Sequence, residues 1–303
     1  METVLITGGS GFIGSNLCWS FLTRYRVVVV DREIRKAQIP AGVITERADL
    51  SHYASVQEVI NKYQPEYIVH LAAMPLASAQ NICISEAFEG CVNITTSLLE
   101  CVSRSNYEFK RFVYASSSMV YGHWTREQMR ETDDCKPISE YGVAKLCGEE
   151  VTKRLCEMYG YEWACVRPSA VFGRWDKNRR VSQLIVESAL NHEIFCVHGA
   201  DEQLDFTPVR DVCQGFYLAT TQRGGANETF NITWGKAHTI LEFCHAVKRE
   251  APHFSWTVVE RDQHRPKRGT LDISKARALL GYVPSERWDQ SCTEYFRAVS
   301  STS

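Results

Sequence analysis

The 303-residue chain carries 34 basic and 36 acidic side chains, a formal net charge of −2, with 44% hydrophobic and 23% charged residues. That is the balance of a globular enzyme, and it gives no electrostatic basis for binding nucleic acid or an anionic membrane. Apolar runs such as Val27–Val30 stop well short of a bilayer span, and twelve cysteines scattered from Cys18 to Cys292 form no Cys-x-x-Cys pair and no zinc spacing.

The first half alternates short β-branched runs with helix-length periodic segments. Val4–Thr7 reads as a strand, Phe12–Arg24 as a helix and Val27–Asp31 as a second strand. A weak strand at Val43–Glu46, a helix at Ser55–Lys62 and a strand at Tyr67–Ala73 follow. A helix at Glu86–Arg104, a strand at Phe112–Ser116 and a helix at Glu140–Tyr159 complete this half. Strands alternating with helices predict an α/β fold with a doubly wound parallel sheet, because parallel neighbours need crossover connections. Beyond Arg167 the pattern loosens. Helices are expected at Val181–Asn191 and Ile240–Glu250, with short strands at Ile194–Val197, Thr229–Ile232 and Thr257–Val259. The first strand begins almost at Met1, so no leader peptide is expected, and scattered reduced thiols suit the cytosol.

Between the first strand and first helix stands Thr7-Gly8-Gly9-Ser10-Gly11-Phe12-Ile13-Gly14. It reads as Gly9-x-Gly11-x-x-Gly14 or as Gly8-x-x-Gly11-x-x-Gly14. Glycine permits the tight turn, lets a pyrophosphate approach the backbone, and lets the helix pack closely on the sheet. The helix N-terminus, Phe12, Ile13 and Gly14, then offers free N–H groups and a partial positive charge. The second strand ends in Asp31, which accepts from an adenosine ribose and repels a 2′-phosphate; NAD is expected over NADP, although Arg32 beside it favours the phosphate. A P-loop is excluded, since Ser15-Asn16 follow Gly14 where Lys-Ser/Thr is required. Asp49-Leu50, after the third strand, either meets the adenine edge or is a solvated acid at a strand end.

Tyr141 and Lys145 stand at i and i+4, on one face of a helix. A free tyrosine has a pKa of about 10, and a nearby cation stabilises the phenolate a general base needs. Upstream, Phe112–Gly122 ends a strand in the hydroxyl cluster Ser116-Ser117-Ser118, where ligands of a parallel sheet sit. Each pattern alone has a plain alternative: a packing tyrosine with a surface lysine, or a serine turn satisfying its own backbone.

Taken together, Gly-Gly-Ser-Gly-Phe-Ile-Gly, His70-Leu71-Ala72-Ala73, Ser-Ser-Ser-Met-Val-Tyr-Gly and Tyr-x-x-x-Lys, in this order, resemble an extended short-chain dehydrogenase/reductase of the NAD-dependent nucleotide-sugar epimerase/dehydratase family. The resemblance continues through Arg167–Gly173, Asp205–Val212 and Arg268–Ala276. It implies a Rossmann-type NAD-binding domain over 1–166 that carries the catalytic residues, and a smaller, partly interleaved nucleotide-sugar region over 167–303. It implies Ser117 as the hydroxyl bonded to the reacting sugar oxygen, Tyr141 as base, and Lys145 as partner of Tyr141 and of the nicotinamide ribose. Leu71, Ala72 and Ala73 would line the cofactor, and Asn93 matches an asparagine near the active site. A homodimer through a four-helix bundle, built from the helices near Glu86–Arg104 and Glu140–Tyr159, is implied as well.

Within this family, dehydratases carry Asp-Glu after the catalytic Thr/Ser, and decarboxylases a glutamate; here Ser118 and Met119 occupy these positions. A thioether neither gives nor takes a proton, so the resemblance narrows to a 4-epimerase that oxidises, turns and re-reduces its sugar. A net 4-dehydrogenase or 4-keto-reductase on the same residues is the near rival. A non-catalytic dinucleotide-binding relative is expected to lack Tyr141 and Lys145. Two departures stand out: Leu204 replaces an arginine that contacts pyrophosphate, and Ala170-Val171 replace an asparagine. Arg179, Arg180, Arg265 and Arg268 are the remaining candidates for the diphosphate, since guanidinium forks suit phosphate oxygens.

Overall fold

The computed structural model describes residues 1–73, 84–262, 266–285 and 287–301. Seven strands form the central sheet: β1 (Thr3–Thr7), β2 (Arg26–Asp31), β3 (Ile44–Arg47), β4 (Tyr67–His70), β5 (Arg111–Ala115), β6 (Glu162–Pro168) and β7 (Glu228–Ile232). All neighbours pair in parallel, in the order β7-β6-β5-β4-β1-β2-β3. The strand order reverses direction at β1, which leaves a crevice at the carboxyl ends of β1 and β4.

The unbroken apolar run Val27–Val30 is almost wholly buried, as a strand covered on both faces must be. Helix α1 (Phe12–Phe21) and helix α5 (Val209–Thr221) cover one face, packing Leu17, Phe21, Val212 and Phe216 against β1 and its neighbours. The other face takes α2 (Tyr53–Tyr63), α3 (Ile94–Ser103) and α4 (Glu140–Tyr159) through Val56, Ile60, Leu98, Leu99 and Cys156. Each valine-sized side chain so buried contributes about 1.5 kcal/mol or more. Ser139 caps α4 by accepting from the Gly142 N–H at 3.2 Å, and Gly160 ends it in the left-handed region at φ +75°.

The second half gathers Val181–Leu190, Ile240–Lys248 and Trp288–Ser300 around Phe206, Phe243 and Trp288. The Thr239/Glu242 capping box starts the middle helix. A two-stranded parallel ribbon, Ile194–His198 with Ser255–Val259, forms the edge of this half.

Strand–helix alternation anticipated most of these elements. It passed over β6, α5 and the helices Ser274–Leu280 and Trp288–Ser300. Thr229–Ile232, expected as a strand of the smaller region, belongs to β7 and completes the main sheet. The anticipated seam between 166 and 167 therefore lies inside β6, and α5 and β7 return from the second half onto the first. Long-range pairing of this kind leaves no local period to read. Among the described residues no helix is long and apolar enough to cross a membrane, and no cluster of three His, Cys, Asp or Glu is placed to hold a metal.

Candidate active site

A cleft of about 1700 Å³ runs along the carboxyl ends of the central strands, between the sheet and the second half. At one end lies the glycine turn. Gly8 takes φ +67°, and a Cβ there would sit 2.7 Å from the Ala72 nitrogen; at Gly14 it would sit 2.5 Å from the Gly9 Cα. Backbone packs on backbone, so no larger residue fits without movement. Helix α1 begins at Gly11 with no side-chain cap and no acidic residue in its first turn, and Phe12, Ile13 and Gly14 line the cleft. Such a helix start leaves N–H donors and a partial positive charge for an anion.

Asp31, at the end of β2, accepts from the N–H groups of Ser10 at 3.1 Å and Glu33 at 3.3 Å. Arg32, Asp49 and Leu50 line the same end, and the Ser51 N–H holds the Asp49 carboxyl below the usual range. Leu71, Ala72 and Ala73 follow β4 into the cleft. The Ala72 N–H donates to Thr7 Oγ1 at 3.3 Å, which lies 2.7 Å from His70 Nδ1. Burial, with the Lys145 charge added, pushes the His70 pKa down to about 3, so this imidazole is neutral.

At the other end stand the hydroxyls. Ser117 follows β5 and caps the short helix Ser118–Tyr121, accepting from the Met119 N–H at 3.2 Å. Tyr141 and Lys145 project from the first turns of α4, and the Lys145 Nζ lies 5.7 Å from the Tyr141 ring centroid. Helix and strand end meet closely: a Cβ at Gly142 would sit 2.7 Å from the Met119 carbonyl oxygen. The Lys145 ammonium is buried and donates to the Ala115 carbonyl at 2.7 Å. Burial works against its charge, but Cys91, Tyr141 and Glu149 outweigh it and hold the pKa above the ordinary lysine value. Ser117, Ser118, Met119, Tyr141 and Lys145 all line the cleft, so the structure brings together a set separated by 28 residues of chain.

The expected diphosphate cations divide. Arg180 lines the cleft, donates from Nη1 to the Val171 carbonyl at 3.0 Å, and lies 5.9 Å from the Phe12 ring centroid. Its buried Nε has no protein acceptor. Arg268 also lines the cleft. Arg179 borders it with a largely exposed side chain, and Arg265 lies outside the described residues. Asn93 does not reach the cleft. A π-helical turn, Glu89–Asn93, precedes α3, and Asn93 is exposed with its Nδ2 donating to Glu89 Oε2 at 2.7 Å. That wider turn shifts the helix phase, so Glu89, Gly90 and Ile94 face the cleft instead. Ala170 occupies the left-handed region at φ +37°, where an asparagine is more at ease, and Leu204 adds an apolar wall.

Two buried residues behind the reactive end were given no role from the sequence: Glu149 and Arg167. A signal existed. Tyr141, Lys145 and Glu149 recur every fourth residue, so they follow one another along α4.

Residues 4–233 match the model of the NAD dependent epimerase/dehydratase family. The chain belongs to this family. Among its relatives, a putative UDP-glucose 4-epimerase of Methanocaldococcus jannaschii is 29% identical over 296 residues, covering 93% of each chain. A GDP-6-deoxy-D-talose 4-dehydrogenase of Aggregatibacter actinomycetemcomitans is 28% identical over 240 residues, 79% of this chain and 76% of the relative. The crystal structure of a Thermotoga maritima UDP-glucose 4-epimerase with UDP-glucose shares the fold, with a TM-score of 0.91 at 24% identity over 99% of both chains. For this family member NAD is the cofactor, and the cleft fits it: the tight backbone packing at Gly8, Gly9 and Gly14, the uncapped start of α1 and the carboxylate of Asp31 answer in order to a pyrophosphate and a ribose.

Proposed function

We propose that this family member is a nucleotide-sugar 4-epimerase that acts through a transient 4-keto sugar. The observation that carries the reading is the convergence of Ser117, Tyr141 and Lys145 on one cleft, with Met119 in place of an acid. The first half is read as the cofactor-binding and catalytic unit, and the second as the unit that selects the sugar nucleotide. The glycine turn and the start of α1 would hold the cofactor pyrophosphate, Asp31 the adenosine ribose, and Lys145 the nicotinamide ribose. Bound NAD supplies a reversible hydride acceptor. Tyr141 takes the proton of the sugar 4-hydroxyl as that oxygen becomes a ketone, while Ser117 donates a hydrogen bond to the same oxygen. The Lys145 ammonium stabilises the Tyr141 phenolate that accepts this proton. After the sugar has turned, Tyr141 returns its proton to the oxygen. Met119 cannot drive the proton transfers of a dehydration. Arg180 and Arg268 would hold the substrate diphosphate, through the spare Arg180 Nε in the first case.

The test is a set of UDP-, GDP-, CDP- and dTDP-hexoses followed by NMR for epimer formation, with the dinucleotide released on denaturation identified in parallel. Conversion without added NAD(P)H is expected. Stoichiometric consumption of NAD(P)H would instead establish a net 4-keto-reductase, and stoichiometric consumption of NAD(P)+ a net 4-dehydrogenase, the reading the relative from A. actinomycetemcomitans favours. The assembly is read as a homodimer through α3 and α4, whose polar faces carry the Arg104–Glu100 and Arg154–Glu150 pairs. Light scattering tests it. A cytosolic setting suits the eleven unbridged cysteines among the described residues.

A further inference from the structure

Glu149 on α4 and Arg167 on β6 are both buried, and they pair without touching the solvent of the cleft. Arg167 donates from Nε to Glu149 Oε1 at 2.8 Å and from Nη2 to Glu149 Oε2 at 2.7 Å. Together with the Ser116 hydroxyl, the guanidinium holds the Glu149 carboxyl below its usual range in spite of burial. Buried ion pairs are poor stabilisers compared with apolar packing, so stability alone does not account for this one.

Each partner has further bonds, and these converge on the catalytic serine. Glu149 Oε1 also accepts from Ser116 Oγ at 2.5 Å. Ser116 immediately precedes Ser117, and its N–H donates to the Val166 carbonyl at 2.8 Å, beside Arg167. Arg167 Nη1 donates to the Tyr121 hydroxyl at 2.9 Å, and that hydroxyl donates to Asn231 Oδ1 at 2.8 Å. Tyr121 closes the short helix that Ser117 caps, and the guanidinium carbon lies 4.9 Å from its ring centroid. Ser117 is therefore held on both sides, through Ser116 and through Tyr121, by the two halves of one ion pair. Glu149 lies four residues beyond Lys145 and eight beyond Tyr141 on the same helix. Lys145 adds a third tie, to the Ala115 carbonyl one residue before Ser116.

We propose that the Glu149–Arg167 pair is a positioning device that sets the Ser117 hydroxyl in register with Tyr141 and Lys145. It touches no reacting atom. It acts by locking the end of β5 against α4, so that the hydrogen-bond donor and the base address one sugar oxygen. Catalytic groups must be held within about 0.5 Å of productive geometry, and a misplacement of about 1 Å costs on the order of 10²-fold in rate. The inference rests on the epimerase reading for the roles of Ser117 and Tyr141.

Glu149→Gln leaves Arg167 as an uncompensated buried cation and threatens folding, so the flanks are the better probes. Ser116→Ala and Tyr121→Phe keep the ion pair and cut one tie each. Each is expected to lower kcat about tenfold, and together about a hundredfold, with KM for the nucleotide sugar and the bound NAD content unchanged. Ser116→Thr, which keeps the hydroxyl, restores kcat. Val247→Ala, in the distant core of the second half, serves as a control that lowers the melting temperature and leaves kcat alone. A double variant with wild-type kcat and a lowered melting temperature makes the pair structural only and overturns the proposal. A crystal structure of the double variant reads the same claim without substrate. The Ser117 hydroxyl is expected to move by about 0.5 Å or more relative to Tyr141, and an unmoved hydroxyl overturns the proposal. A wild-type protein that turns over no nucleotide sugar, with Ser117 displaced in the variant, would sink the epimerase reading and leave the positioning role standing.

Discussion

Along the cofactor-binding and reactive parts of the cleft every candidate group rides on, or next to, a regular element: the glycines between β1 and α1, Asp31 at the end of β2, Leu71–Ala73 after β4, and Tyr141 and Lys145 on α4. The candidate cations for the diphosphate stand on connecting segments of the second half, Arg180 just before the helix Val181–Leu190. The segment from Ala170 to Arg180 holds three non-glycine residues in the left-handed region, Ala170, Trp175 and Arg179, where such residues are uncommon. The first arrangement serves a chemistry that must be exact in direction. The second is proposed to serve recognition, where a loop can be re-shaped without disturbing the sheet. On the proposed reading, the difference teaches that activity class and substrate identity are written in different parts of this molecule.

The comparison predicts unequal responses to substitution. Tyr141→Phe should cost about 10²–10⁴-fold in kcat, with bound NAD and melting temperature unchanged. A variant retaining a tenth of wild-type turnover would remove Tyr141 from the proton transfer. Gly14→Ala forces a Cβ against the Gly9 backbone and should cost about 1–3 kcal/mol by overpacking, read by denaturant unfolding together with loss of bound NAD. Arg180→Ala tests the sugar end. It should raise KM about 10- to 100-fold, the worth of one charge-assisted hydrogen bond, and leave kcat in place; a fall in kcat alone would blur the contrast between the two ends.

A pH experiment probes the buried floor of the cofactor end. The folded His70 pKa, about 3, lies below the ordinary imidazole value of 6.5. The unfolded chain therefore takes up this proton first, and ∂ΔG/∂pH is positive between the two values. The contribution of neutral His70 to stability is fully present above about pH 6.5 and is lost as pH falls towards 3. The His70 C2 proton should not titrate in the native protein between pH 7.5 and 5, as followed by NMR; a native midpoint near 6.5 would show that the ring is not buried as described. The smallest expected effect is that of Asn93→Ala. Its side chain is exposed and bonded to Glu89, so NAD content and turnover should stay within about twofold, as expected of surface changes.

What could be read in advance follows the same division. The β1–turn–α1 unit was legible because its reasons are local: a buried apolar strand, glycines where backbone meets backbone, and an uncapped helix start. Tyr141 and Lys145 were legible because one helical turn relates them. Asn93 is turned away from the cleft lining by a π-helical turn, and no residue type announces that turn. Strand β6 and helix α5 went unread, although Trp163–Val166 and Val212–Phe216 supply their buried faces. No alternation marks β6, a strand buried along nearly its whole length, whereas α5 carries a helical contrast, exposed at Arg210 and Gln214, that was passed over.

By itself the sequence determined the parallel sheet and the dinucleotide turn, because each rests on residues near one another along the chain, and the family of chemistry, through motifs that recur in a fixed order along it. Only the tertiary structure decided that β7 from the second half closes the main sheet, and that Arg180 reaches Phe12 of the glycine turn. It alone shows that Ser117 is bracketed by an ion pair from α4 and β6. The physical reason is burial. A charge pair or a strand edge finds its partner across 18 to 110 residues of chain once water is excluded, and no local pattern records that meeting.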